Sequence, residues 1–117
     1  MKSAMKLALV LVIALSITIL YAAAPADAAK GKEIYKKSCV SCHGEKGEVK
    51  PAIEKMFTVK MHALDSKEVQ SKTDDVLVTN ILQPSGKMKP INISKTDAAD
   101  VVAFLRTLAQ PAGTVKK

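Results

Sequence analysis

Two thiols three positions apart, followed at once by an imidazole, constrain this chain more than any other feature: Cys39-Val40-Ser41-Cys42-His43. Thiols at that spacing can add across two vinyl groups on one porphyrin edge, and a histidine directly after them falls beneath the iron. The sequence contains two cysteines and both are here, so a disulfide framework scattered through the chain is ruled out. A zinc site would need a second pair of ligands at matching spacing, and the sequence has none. A thioredoxin-type catalyst uses the same thiol spacing on a strand-helix-strand unit, but no segment of this sequence alternates as a strand should. The motif therefore predicts a covalently attached haem held by Cys39 and Cys42, with His43 giving its Nε2 to the iron.

The N-terminal segment predicts export. Lys2 and Lys6 precede an apolar run from Leu7 to Leu20, and small residues follow. This is the three-part grammar of a secretory signal. Residues 1–28 are read as a signal peptide cleaved after Ala28, where Ala26-Asp27-Ala28 fits the A-x-A pattern. The alternative is a retained anchor. A run of fourteen residues, broken only by Ser16 and Thr18, falls short of the roughly twenty that span a bilayer, although Tyr21 and the alanines after it extend it. The expected location is periplasmic or otherwise exported, with membrane contact only if the segment is kept.

Residues 29–117 fit one domain and not two. Without Lys2, Lys6 and Asp27 this stretch keeps a formal charge of +6. Its aromatics are Tyr35, Phe57 and Phe104, a thin apolar supply for a domain of this size, and a large buried prosthetic group would complete the interior. Lysines at positions 30, 32, 36, 37, 46, 50, 55 and 60 recur without interleaved aromatics, which does not suit a nucleic-acid surface. Most read as solvated. Some are expected to ring the exposed haem edge and steer the protein toward acidic faces of redox partners.

Helical periodicity occurs three times. Residues 30–38 put Gly31, Ile34, Tyr35 and Ser38 on one face, so a first helix leads into the thiols. Thr73 starts a second helix, with Asp74 and Asp75 in its first turn, Leu77, Val78, Ile81 and Leu82 as its apolar side, and Pro84 as its stop. Ser94 and Asp97 form a capping-box pattern before a stripe of Ala98, Val101, Val102, Leu105, Leu108 and Ala109, closed by Pro111 and Gly113. Gly44 to Pro51 reads as a loop, Met56 to Leu64 as an irregular or single helical turn over the haem, and residues 114–117 as a frayed tail. The expected fold is all-α, three to four short helices around one haem.

The sixth iron ligand separates a carrier from a catalyst. Met88 lies in Pro84-Ser85-Gly86-Lys87-Met88-Lys89-Pro90, where two prolines and a glycine prevent regular structure and present the side chain from a loop. A thioether favours ferrous iron and raises the potential relative to a second histidine. His62, the other histidine of the chain, is the rival, and Met56 and Met61 read as core fillers that could also compete.

Gly31 and Tyr35 before the motif, Cys39 to Gly44, Gly86-x-Met88 with Pro90 after it, and a terminal Phe104-Leu105-Arg106-Thr107-Leu108 together resemble the monohaem class I cytochromes c of bacteria. The resemblance covers nearly all of residues 29–117. It implies that the first and last helices cross near Gly31, Tyr35 and Phe104, and that His43 and Met88 bind iron from opposite sides. It also implies that a carbonyl beside Pro51 holds the second nitrogen of His43, across a shortened intervening stretch. The family's methionine is frequently followed at once by proline, whereas Lys89 intervenes here.

The expected function is one-electron transfer between redox-partner proteins, with no small-molecule substrate, no nucleic acid and no catalytic residue; Asp65, Glu68, Asp74 and Asp75 read as solvent-facing or helix-start charges. Two other classes stay open: a haem enzyme or gas sensor with a vacant sixth position, and a haem-bearing subunit of a larger membrane redox complex.

Overall fold

A computed structural model describes Met5 and residues 24–109. The apolar run Leu7–Leu20, the closing Pro111 and Gly113, and the tail 114–117 lie outside the described residues. Among those described there are six α-helices and no strand: α1 (Ala28–Ser38), α2 (Val40–His43), α3 (Pro51–Phe57), α4 (Lys67–Gln70), α5 (Asp74–Leu82) and α6 (Lys95–Leu108). No helix among them is long and apolar enough to cross a membrane.

Six helices replace the three to four expected because α2, α3 and α4 run for only four to seven residues. Elements of one or two turns cannot display a 3.6-residue period. Pro51 is not the end of a loop but the first residue of α3, where its missing N–H is no loss and its fixed φ suits a helix start. Only Met56 and Phe57 of the ambiguous Met56–Leu64 segment are helical, since α3 ends at Thr58, whose φ of 53° is left-handed.

Packing of α1 across α6 organises the fold. Gly31 makes the crossing close: a Cβ built on it would stand 1.9 Å from the carbonyl oxygen of Asp100, so the two backbones meet with no side chain between them. One turn further on, Tyr35 packs its ring on Phe104 with centroids 5.1 Å apart and planes tilted by 56°, a tilted pair of the kind worth about 0.5–1.5 kcal/mol beyond its burial. Ala98, Val101, Val102 and Leu105 supply the rest of the α6 face and are buried. Each of the larger ones contributes roughly 1.5–3 kcal/mol by leaving water. Leu77, Val78 and Ile81 bring α5 onto the same core.

Polar groups fix how these elements start and join. Ser94 and Asp97 form a complete capping box at the start of α6, and Thr73 accepts from the Val76 N–H at the start of α5. Asp100, 3% exposed, accepts from the Asp27 N–H at 2.8 Å and lies 3.3 Å from Lys30 Nζ, so its buried carboxylate is paired. Lys30 Nζ is also 2.7 Å from Asp97. Arg106 closes the other end: it donates to the carbonyls of Gln70 and Lys72 at 2.8 and 2.6 Å and to the Asp74 carboxylate at 2.7 Å, which ties the α4–α5 connection to α6.

Gly31→Ala is expected to lower the stability of the haem-loaded protein by about 1–3 kcal/mol, since the obstacle is backbone and cannot rotate away; guanidinium unfolding measures the loss. Lys30 and the Ser94 cap hold the Asp97 carboxyl below its usual 3.8, the hydrogen bond to Lys30 being the larger cause. A depressed acid stabilises the fold above its unfolded pKa and ceases to as pH falls through the folded one. Asp97→Asn should therefore be less stable than wild type at neutral pH, with the gap in unfolding midpoints closing as the pH drops below 3.8.

Candidate haem site

The thiols and His43 sit on a single turn of helix immediately after α1. The N–H of Cys39 donates to the carbonyl of Tyr35, and the N–H groups of Cys42 and His43 turn back to the carbonyl of Cys39 at 3.1 and 2.9 Å. This continuation of α1 sets the direction of all three side chains. It ends at Gly44, whose φ of 68° suits glycine and whose missing Cβ leaves room for the Glu48 carboxylate.

Two groups that the motif does not contain hold this turn in place. Tyr35 donates its hydroxyl to the carbonyl of Gly44 at 2.7 Å, with the carbonyl of His43 at 3.3 Å. Lys50 Nζ donates to the carbonyls of Val40 and Ser41 at 3.0 and 3.2 Å, neutralising the exposed end of α2. Sequence reasoning gave Tyr35 a packing role and did not single out Lys50 among the lysines. A tyrosine four residues before the first thiol, on the buried face of α1, was the available signal for the first contact. The second joins residues ten apart across a loop and leaves no pattern.

Cys39, Cys42, His43 and Met88 all line one cavity of about 660 Å³. That volume falls in the range of about 300–1,000 Å³ typical of small-molecule and cofactor sites. Ile53, Phe57 and Val59 provide apolar wall from α3 and the chain after it, and Ser85 to Ile91 provide another. A second cavity of about 140 Å³ shares Cys39, His43 and Met88 with the first, and is otherwise lined largely by core side chains such as Tyr35, Leu77, Val101 and Leu105. The crevice therefore reaches from the attachment turn into the core of the domain.

The donors in this crevice suit an iron porphyrin. Both thiols are free. Burial, with Cys42 as a lesser contributor, pushes the Cys39 thiol up to about 11, so it stays an uncharged sulfhydryl. Burial also holds the His43 imidazole below its ordinary value and keeps it neutral, the form with a lone pair for a metal. Met88 adds a soft thioether from the loop after α5. His43 Nδ1 is buried and has no hydrogen-bond partner among the described residues. The contact expected beside Pro51 is not formed, because the Lys50 carbonyl already accepts from Ile53 and Glu54 to open α3.

Two of the three rivals to Met88 lie outside the crevice. His62 lines neither cavity; its Nδ1 is paired with the Glu68 carboxylate at 2.8 Å, and its side chain is 48% exposed. Met56 is 68% exposed and also lies outside both. Met61 does line the larger cavity. Of the lysines first considered for the haem edge, Lys60 borders that cavity, and Lys87 and Lys89 beside Met88 join it.

Tyr35→Phe keeps the ring and removes the donor to Gly44. It should cost the haem-loaded protein about 0.5–1.5 kcal/mol in denaturant unfolding while leaving the Tyr35–Phe104 packing in place.

Comparison with known proteins gives one family: the model described as Cytochrome c matches residues 28–109. No curated protein matches the chain.

Proposed function

Because the chain belongs to the cytochrome c family, whose members bind a covalently attached c-type haem, we propose that it is an exported one-electron carrier in which Cys39 and Cys42 hold the haem and His43 and Met88 ligate its iron. The observation that carries the proposal is the joint presence of these four side chains in the lining of one crevice, although Met88 comes from a loop 45 residues beyond His43.

When bound, the haem supplies an iron that exchanges one electron between its ferric and ferrous states. The chain does the rest. His43, neutral through burial, offers its imidazole in either state. Met88 offers a thioether, which carries no charge and favours the reduced iron. The apolar side chains of Ile53, Phe57 and Val59 would shield a haem held in this crevice from water. Holding two ligands through both redox states leaves little geometry to rearrange. Lys60, Lys87 and Lys89 border its mouth and favour partners that present acidic faces, with rates that fall as salt is added.

Absorption spectra test the ligand set. Wild-type protein is expected to be six-coordinate and low-spin, with a sulfur-to-iron charge-transfer band in the ferric state and only slow displacement of the sixth ligand by carbon monoxide. Met88→Ala should lose that band and bind carbon monoxide rapidly, while His62→Ala and Met61→Ala leave both properties unchanged. An unaltered spectrum in Met88→Ala would remove Met88 from the site.

A further inference from the structure

Asp27 lies just outside α1 and uses every polar group it has. Its carboxylate caps the helix, accepting from the N–H groups of Ala29 and Lys30 at 2.9 and 3.2 Å. Its carbonyl accepts from the Gly31 N–H at 2.9 Å, at the residue where α1 meets α6. Its own N–H donates to the buried Asp100 carboxylate at 2.8 Å. The three residues before it, Ala24, Pro25 and Ala26, are exposed and lie in no helix. Among the described residues from Ala24 onward, Asp27 is thus the first that hydrogen-bonds into the fold.

We infer that the exported chain is cut between Ala26 and Asp27, so that the mature protein begins with Asp27. This rests on the proposal that the chain is exported and processed. Ala24-Pro25-Ala26 satisfies the A-x-A requirement as well as Ala26-Asp27-Ala28 does, so composition alone does not choose between the two bonds. The fold does. Hydrolysis before Asp27 consumes one water, leaves a carboxylate on Ala26, and turns the Asp27 nitrogen into an ammonium 2.8 Å from the Asp100 carboxylate. A hydrogen bond from an uncharged amide becomes an ion pair with a carboxylate that is otherwise 3.3 Å from its nearest cation, Lys30.

The cut after Ala28 has the opposite effect. It deletes the Asp27 cap, removes the carbonyl that receives the Gly31 N–H, and takes the backbone donor from Asp100. It also places a terminal ammonium in the first turn of α1 without the aspartate, where the helix dipole is already positive. A third A-x-A frame, Ala22-Ala23-Ala24, would cut before Pro25 and leave the Asp27 nitrogen an uncharged amide.

The test is N-terminal sequencing and intact mass of the full-length chain expressed with export and haem-attachment machinery. The expected first residues are Asp-Ala-Ala-Lys, and Ala28→Gln, which blocks a cut after position 28 but not after 26, should still begin with Asp27. A start at Ala29 or Pro25 overturns the assignment while leaving export intact. An unprocessed chain overturns the assignment and the export reading together. A start at Asp27 without added tetrapyrrole mass supports the cut and overturns the haem reading instead. Haem-loaded protein beginning at Ala29, made by moving the leader junction, should unfold at a lower temperature than protein beginning at Asp27. Equal midpoints would remove the structural reason for the choice.

Discussion

The contact between Gly31 and the backbone of Asp100 is the constraint on which the other elements depend. It brings α1 and α6 together with no side chain between them, and it sets where Tyr35 meets Phe104 one turn later. Tyr35 then carries that placement to the chemistry, since its ring belongs to the helix crossing and its hydroxyl holds the carbonyl of Gly44 after the attachment turn. A shift at the crossing is thereby a shift of Cys39, Cys42 and His43. The polar contacts around it, from Asp27 and Lys30 to Asp100 and Asp97, brace the same junction from its outer end.

The core inside this frame is small. Among the described residues its aromatic content is one Tyr-Phe pair, and the other buried hydrophobic side chains are aliphatic. A domain of such size is ordinarily marginal without a further interior component. The crevice that runs from the attachment turn to Leu77, Val101 and Leu105 is where, on the proposed reading, a c-type haem would supply that component. A group held there would share its apolar walls with the inner faces of α5 and α6, so its binding would be coupled to folding.

Much of this was legible from residue order. The motif at 39–43 names its own chemistry because its members are neighbours in the chain. The N-caps Thr73 and Ser94 and the faces of α1, α5 and α6 follow from periods that local sequence expresses directly. The short helices α2, α3 and α4 were missed because one or two turns carry no period, and Pro51 was read as loop although proline is equally at home in the first turn of a helix. Met88 was singled out because prolines and a glycine left its segment nothing regular to form.

What local sequence could not express were contacts between distant residues. The pairing of His62 with Glu68, the hold of Lys50 on the α2 carbonyls, and the lysines that border the crevice depend on loop paths that no pattern encodes. The bare Nδ1 of His43 is of the same kind, since it follows from how α3 uses the Lys50 carbonyl. The sequence by itself determined the cofactor chemistry and the helical class, because those reside in adjacent residues and in short-range periodicity. Which side chains surround the crevice, and which partners the carboxylate of Asp100 finds, were decided by the tertiary structure, because both depend on how closely two helices far apart in sequence can approach.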